Sequence, residues 1–214
     1  MTGPQTNEDQ ASNWEPRLSV PKTTFMLPVV RDHRSLDELG REAAEKVYGS
    51  HAPEEQLQAF ARFIHDGTKD CRQRGVKMGG LIFFPDFNRL PPVANVDVFG
   101  YYSSKGEDTP SSLEFYRQHF GTPDKDTVGP IEVSDVQLPA GPAIRFHRRF
   151  WPKPVPRWTP VSHQWEEVMY AVRPPQINDA VVLTVAWVEF KLSEALVKSA
   201  DAIAKTLEIK LLDA

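Results

Sequence analysis

A chain of 214 residues with a formal net charge of −4 has the length of one sizeable domain plus a tail, and it lacks the basic surplus of a dedicated nucleic-acid-binding domain. With 40% hydrophobic and 25% charged residues its composition is that of a globular protein, and its single cysteine, Cys71, excludes an intrachain disulfide and fits a reducing compartment. No basic-then-apolar leader opens the first thirty residues, and apolar runs such as AVVLTVAWV reach only about half the ~20 residues of a membrane-spanning helix, so the expectation is a cytoplasmic protein with no membrane partner.

Residues 1–16 are expected to be a disordered or extended N-terminal arm, and residues 17–214 a single α+β domain. Between 17 and 30, short β-prone runs are broken by Pro21 and Pro28 and read as short strands or a continuing arm. Ser35 with Glu38 three residues on is a capping box, which predicts a helix as far as Tyr48, stopped by Gly49. A longer helix is expected from about Pro53 to Arg74. Pro53 suits its first position, and Glu54 and Glu55 suit the positive end of its dipole. Leu57, Phe60, Ala61, Ile64 and Thr68 make one apolar stripe, and Gly75 suits the stop.

The period then switches to strands. KMGGLIFFP (77–85) and VANVDVFGYYS (93–103) read as two, followed by a short helix at 111–121. Residues 131–140 and 142–150 flank the turn Pro139-Ala140-Gly141-Pro142 and read as a hairpin. Residues 163–173 and 179–190 read as a second hairpin. Both alternating sets of its last strand are mostly apolar, which predicts a central strand covered on both faces. A final helix is expected from Ser193 to about Leu207, with Leu196, Ala200, Ile203 and Leu207 as its stripe. The order of elements gives an α+β fold: a twisted, mostly antiparallel β-sheet flanked by helices.

One stretch concentrates chemistry: RFHRRFWPKPVPRW, residues 145–158. In a strand Ile144, Phe146 and Phe150 share one face, while Arg145, His147 and Arg149 share the other. One reading pairs this charged face with Glu166 and Glu167 on the next strand. The other makes it a partner-binding or anion-binding patch of Arg145, His147, Arg149, Trp151, Lys153, Arg157 and Trp158. Pro152, Pro154, Pro156 and Pro160 favour a stiff crossing loop, which either packs on the body or docks a partner.

Catalytic signatures are missing. The six histidines form no close ligand pair, so no metal is expected. Cys71 falls late on a helix, where the dipole disfavours a thiolate. There is no GxSxG elbow, and the adjacent carboxylate pairs read as surface residues. Gly79-Gly80 lies inside a strand pattern and marks a bulge or a close backbone approach, without a phosphate-binding motif. No catalytic residue and no cofactor is therefore expected.

VQLPAGPAIRFHRRF, AVVLTVAWVEF and ALVKSADAIAKTLEI together resemble an uncharacterised actinobacterial family. That family is similar to the PsbP-like fold, which includes PsbP, the Ran-binding Mog protein and mycobacterial PsbP-like lipoproteins. The resemblance covers about residues 76–210. It implies a twisted antiparallel sheet between helices and a role in binding other proteins, and it transfers no active-site residue. The signal peptide and lipid-anchor cysteine of the lipoprotein members are not seen here. The expected function is a non-catalytic protein-interaction module, an adaptor or accessory subunit whose partner is another protein. The alternative is a small-molecule or anion-binding protein, an enzyme included, with a site assembled between sheet and helices. Nucleic acid is the least expected partner.

Overall fold

The computed structural model describes residues 14–29, 34–83, 86, 91–101, 112–152, 164–178 and 180–212. In chain order the elements are β1 (Trp14–Arg17), β2 (Thr24–Met26), α1 (Leu36–Tyr48), α2 (Glu54–Gln73), β3 (Val76–Ile82), β4 (Ala94–Tyr101), α3 (Leu113–Gly121), β5 (Thr127–Leu138), β6 (Gly141–Phe150), β7 (Trp165–Val172), β8 (Ala180–Trp187), α4 (Ser193–Ala204) and β9 (Glu208–Leu211). Seven strands pair antiparallel in the order β2-β3-β4-β8-β7-β6-β5, and β1 pairs with β9 in a separate two-stranded sheet. The fold is α+β, as expected.

The doubly apolar strand β8 lies between β4 and β7. Every residue of β7 is buried, as is every residue of β8 except Thr184. Burial on both sides follows from what covers the sheet. One face packs against the α4 stripe of Leu196, Ala200 and Ile203, together with Trp14 of β1 and Leu207 beyond the helix. The opposite face carries α2 through Leu57, Phe60 and Ile64, and α3 through Tyr116.

Local signals set most boundaries. Ser35 and Glu38 exchange both hydrogen bonds of the capping box at the start of α1. Gly75 ends the second helical segment with φ of +68°. The β5–β6 hairpin turns at Gly141, where φ is +140° and a Cβ would stand 2.5 Å from the Arg173 carbonyl oxygen.

Four boundaries differ from expectation. Pro53 caps α2 from outside the first turn. Ser193 begins α4 without capping it; its hydroxyl is engaged on β7 instead. The last segment leaves the helix after Ala204 and returns as β9, because Arg17 to Trp14 offer Glu208–Leu211 a strand to pair with. β5 starts at Thr127, four residues early, and absorbs a register shift between Val128 and Glu132 next to Gly129, whose φ is +75°.

Candidate functional site

The charged face of β6 meets three different fates. Arg145 lies opposite Tyr170 in the ladder and its Nε donates to Asp201 Oδ1 of α4 at 2.8 Å. The Tyr170 hydroxyl donates to the same carboxylate oxygen. Arg145 is therefore committed to holding α4 on the sheet. Two residues on, His147 sits between two carboxylates: Nε2 is 2.7 Å from Glu166 Oε1 and Nδ1 is 3.2 Å from Glu132 Oε2. Both ring nitrogens of His147 thus stand within hydrogen-bond distance of a carboxylate oxygen.

Glu166 is the hub. Its side chain is 1% exposed, and it accepts from His147, from Trp187 Nε1 at 3.2 Å and from Ser193 Oγ at 2.9 Å. Arg149 Nη2 stands 3.7 Å from Glu166 Oε1, the oxygen that His147 already occupies. Cross-strand register explains the gathering, because Arg149 and Trp187 flank Glu166 on the two neighbouring strands. On the opposite face Arg148 Nε donates to Glu167 Oε1 at 2.6 Å and lies over the Phe150 ring.

Arg149 remains half-exposed, at 49%, and its guanidinium carbon stands 5.1 Å from the centroid of the Phe190 ring. Phe190 opens a short 3-10 turn, Phe190–Leu192, and is 37% exposed. Trp151, 43% exposed, follows at the end of β6, where its backbone N–H donates to the Asp126 carbonyl at 2.8 Å. Lys153, Arg157 and Trp158 lie outside the described residues. Of the seven expected patch residues, the described structure thus places His147 and Arg149 around Glu166, leaves Trp151 just past the end of β6, and draws Arg145 away to α4. Phe190 was missed in the sequence because its place beside Arg149 depends on the pairing of β6, β7 and β8.

A second polar cluster lies near the far end of α2. Asp97 of β4 accepts from Arg74 Nη2 at 2.8 Å and from Asn95 Nδ2 at 2.9 Å, and the Cys71 thiol points at it from 3.6 Å. Burial pushes the Cys71 thiol well above its ordinary range, and the Asp97 charge pushes it further. A thiol so held is a poor nucleophile. Burial also raises Asp97, against the pull of Arg74. Among the described residues no group of three metal-ligating side chains converges. No described helix is long and apolar enough to cross a membrane.

No protein family matches the chain, and no curated protein does. Solved structures similar to it include the following two. LpqN of Mycobacterium tuberculosis, a protein involved in cell envelope biogenesis, aligns over 95% of this chain and 87% of its own, at 12% identity and a TM-score of 0.41. A protein of unknown function from Pseudomonas aeruginosa aligns over 59% of this chain and 72% of its own, at 8% identity and a TM-score of 0.32. Below a TM-score of 0.5 neither likeness carries an argument about what this chain does, and the PsbP-like fold rests on the sequence resemblance alone.

Proposed function

We propose that this protein is a non-catalytic interaction module that docks another protein through Arg149, Phe190 and Trp151. The observation that supports this is the exposed stack of Arg149 on Phe190 at the mouth of a rigid, fully bonded strand pair, with Trp151 two residues further along. Tryptophan and arginine are the residue types most enriched among interface hot spots. Glu166 behind them holds the arginine's direction without burying it. Among the described residues, the buried carboxylates of the polar clusters are each met by donors of the fold: Glu166 by His147, Trp187 and Ser193, and Asp97 by Arg74 and Asn95. The PsbP-like resemblance points the same way, since its characterised members mostly work by binding other proteins, and a cytoplasmic adaptor or accessory subunit fits that role.

The test is affinity capture from the native lysate with wild type, Arg149→Gln and Trp151→Ala baits, read by mass spectrometry. A stoichiometric partner should be retained by wild type and lost at least tenfold in both variants, with melting temperatures within a few degrees of each other. Equal capture by all three baits removes this surface from the interaction. Specific thermal stabilisation by a small metabolite, with no protein partner, would instead favour the ligand-binding alternative.

A further inference from the structure

The seven-stranded sheet has two edges, and they are treated differently. β5 is guarded by the register shift near Gly129, by Pro130, and by the charges of Glu132 and Asp135. β2, with the sequence Thr-Phe-Met, has no proline and no charge. Its ladder with β3 runs through Phe25 opposite Leu81. On either side of that pair, the Leu27 N–H donates to Gly79 at 2.8 Å and the Phe83 N–H donates to Thr23 at 2.9 Å. Antiparallel alternation then turns the backbone groups of Thr24 and Met26 away from the sheet. The Thr24 N–H folds back onto the Pro21 carbonyl at 2.9 Å. Among the described residues the Thr24 carbonyl and both backbone groups of Met26 have no partner.

Two further observations fall at the same place. Thr24 Oγ1 is buried and has no hydrogen-bond partner. An open hollow of about 470 Å³ lies over this edge, lined by Thr24, Phe25, Met26, Lys46 and Val47. Lys46, in the last turn of α1, is exposed and has no carboxylate within ion-pair distance among the described residues.

We propose that β2 is a docking edge for an extended peptide bearing an acidic residue. The peptide adds as an outer strand, bonding to the Met26 N–H, the Met26 carbonyl and the Thr24 carbonyl, and its carboxylate meets Lys46. The segment recognised is short. Pro28 has no N–H, and its carbonyl already accepts from Arg72 Nη2 at 2.9 Å, so pairing stops before it. A second copy of this chain is a poorer occupant. Thr24–Met26 carries no carboxylate, so pairing two β2 edges leaves both Lys46 groups unanswered. This site is separate from the Arg149 surface and does not depend on it.

The experiment selects a random octapeptide phage library on the whole protein and measures a synthesised winner by fluorescence polarisation. Enriched sequences should combine Asp or Glu with β-branched residues. Met26→Pro, which deletes the outward N–H, should weaken binding at least tenfold. Lys46→Glu, which leaves the edge intact and guards against a folding defect in the proline variant, should weaken it several-fold and shift selection toward basic residues. Lys198→Ala, at an exposed position on α4, should bind the peptide as wild type does. The proposal is overturned if no acidic sequence is enriched, if neither edge variant weakens the winner, or if sedimentation shows a wild-type dimer that Met26→Pro dissolves.

Discussion

Gly79 occupies a position with no room for a side chain. A Cβ there would lie 2.7 Å from Cys71 Sγ and 3.3 Å from Asp97 Oδ1. The glycine is what lets α2 bring its buried thiol down onto the sheet beside a buried carboxylate. Gly79→Ala should therefore cost about 1–3 kcal/mol, the usual range for overpacking. Cys71→Ala removes the obstructing sulfur, so the double variant should recover part of that loss. Urea titrations of the four species should give a coupling of about 0.5–3 kcal/mol. Strictly additive effects would show that the helix shifts instead and that the contact is soft. Glu166 makes a different point at the same scale: a carboxylate this buried is tolerable because three donors and a nearby guanidinium surround it.

Helix α4 is fastened to the sheet by more than its apolar stripe. Asp201 accepts from both Arg145 and Tyr170, which tethers the last turn of the helix to β6 and β7. Burial, and then the hydrogen bond to Asp201, raises the Tyr170 phenol above its ordinary value. A phenol raised in the folded state stabilises the fold in full below the unfolded value near ~10, and that contribution is lost as pH rises beyond it. The urea midpoint should consequently fall steeply above about pH 10. Tyr170→Phe should flatten that fall; an unchanged slope would assign the alkaline loss to other groups. Sequence pattern reached the elements well and their partners poorly. Ser35 with Glu38 and the Pro139–Pro142 turn are local signals, readable without knowing the fold. Arg145 was expected to face Glu166 or Glu167, yet its partner is 56 positions away on a helix whose placement only tertiary packing decides. β9 escaped notice for a related reason. Leu207 prolongs the helical stripe, and nothing local in EIKL announces that β1 is waiting for it.

Across the whole molecule, β1 and β9 form the second sheet, with Trp14 opposite Leu211. Trp14 is 2% exposed and belongs to the larger core on the α4 face, and Lys77 Nζ stands 4.3 Å from the centroid of its ring. The first described strand is thus a core element and not a loose appendage. Trp14→Ala should cost about 3–5 kcal/mol, as truncations of large buried aromatics do. Hydrogen exchange should show Glu208–Leu211 losing protection along with β1. Retained protection in β9 would mean that the two strands are not one cooperative unit.

That pairing also joins the earliest part of the described fold to emerge during synthesis with the last. At ordinary translation rates the intervening chain takes about 10–40 s to appear. For that interval Trp14 has left the ribosome while the strand it pairs with does not yet exist. The nascent chain carries an uncovered apolar indole until the helix and strand that bury it are made, which makes this segment a natural place for a chaperone to hold.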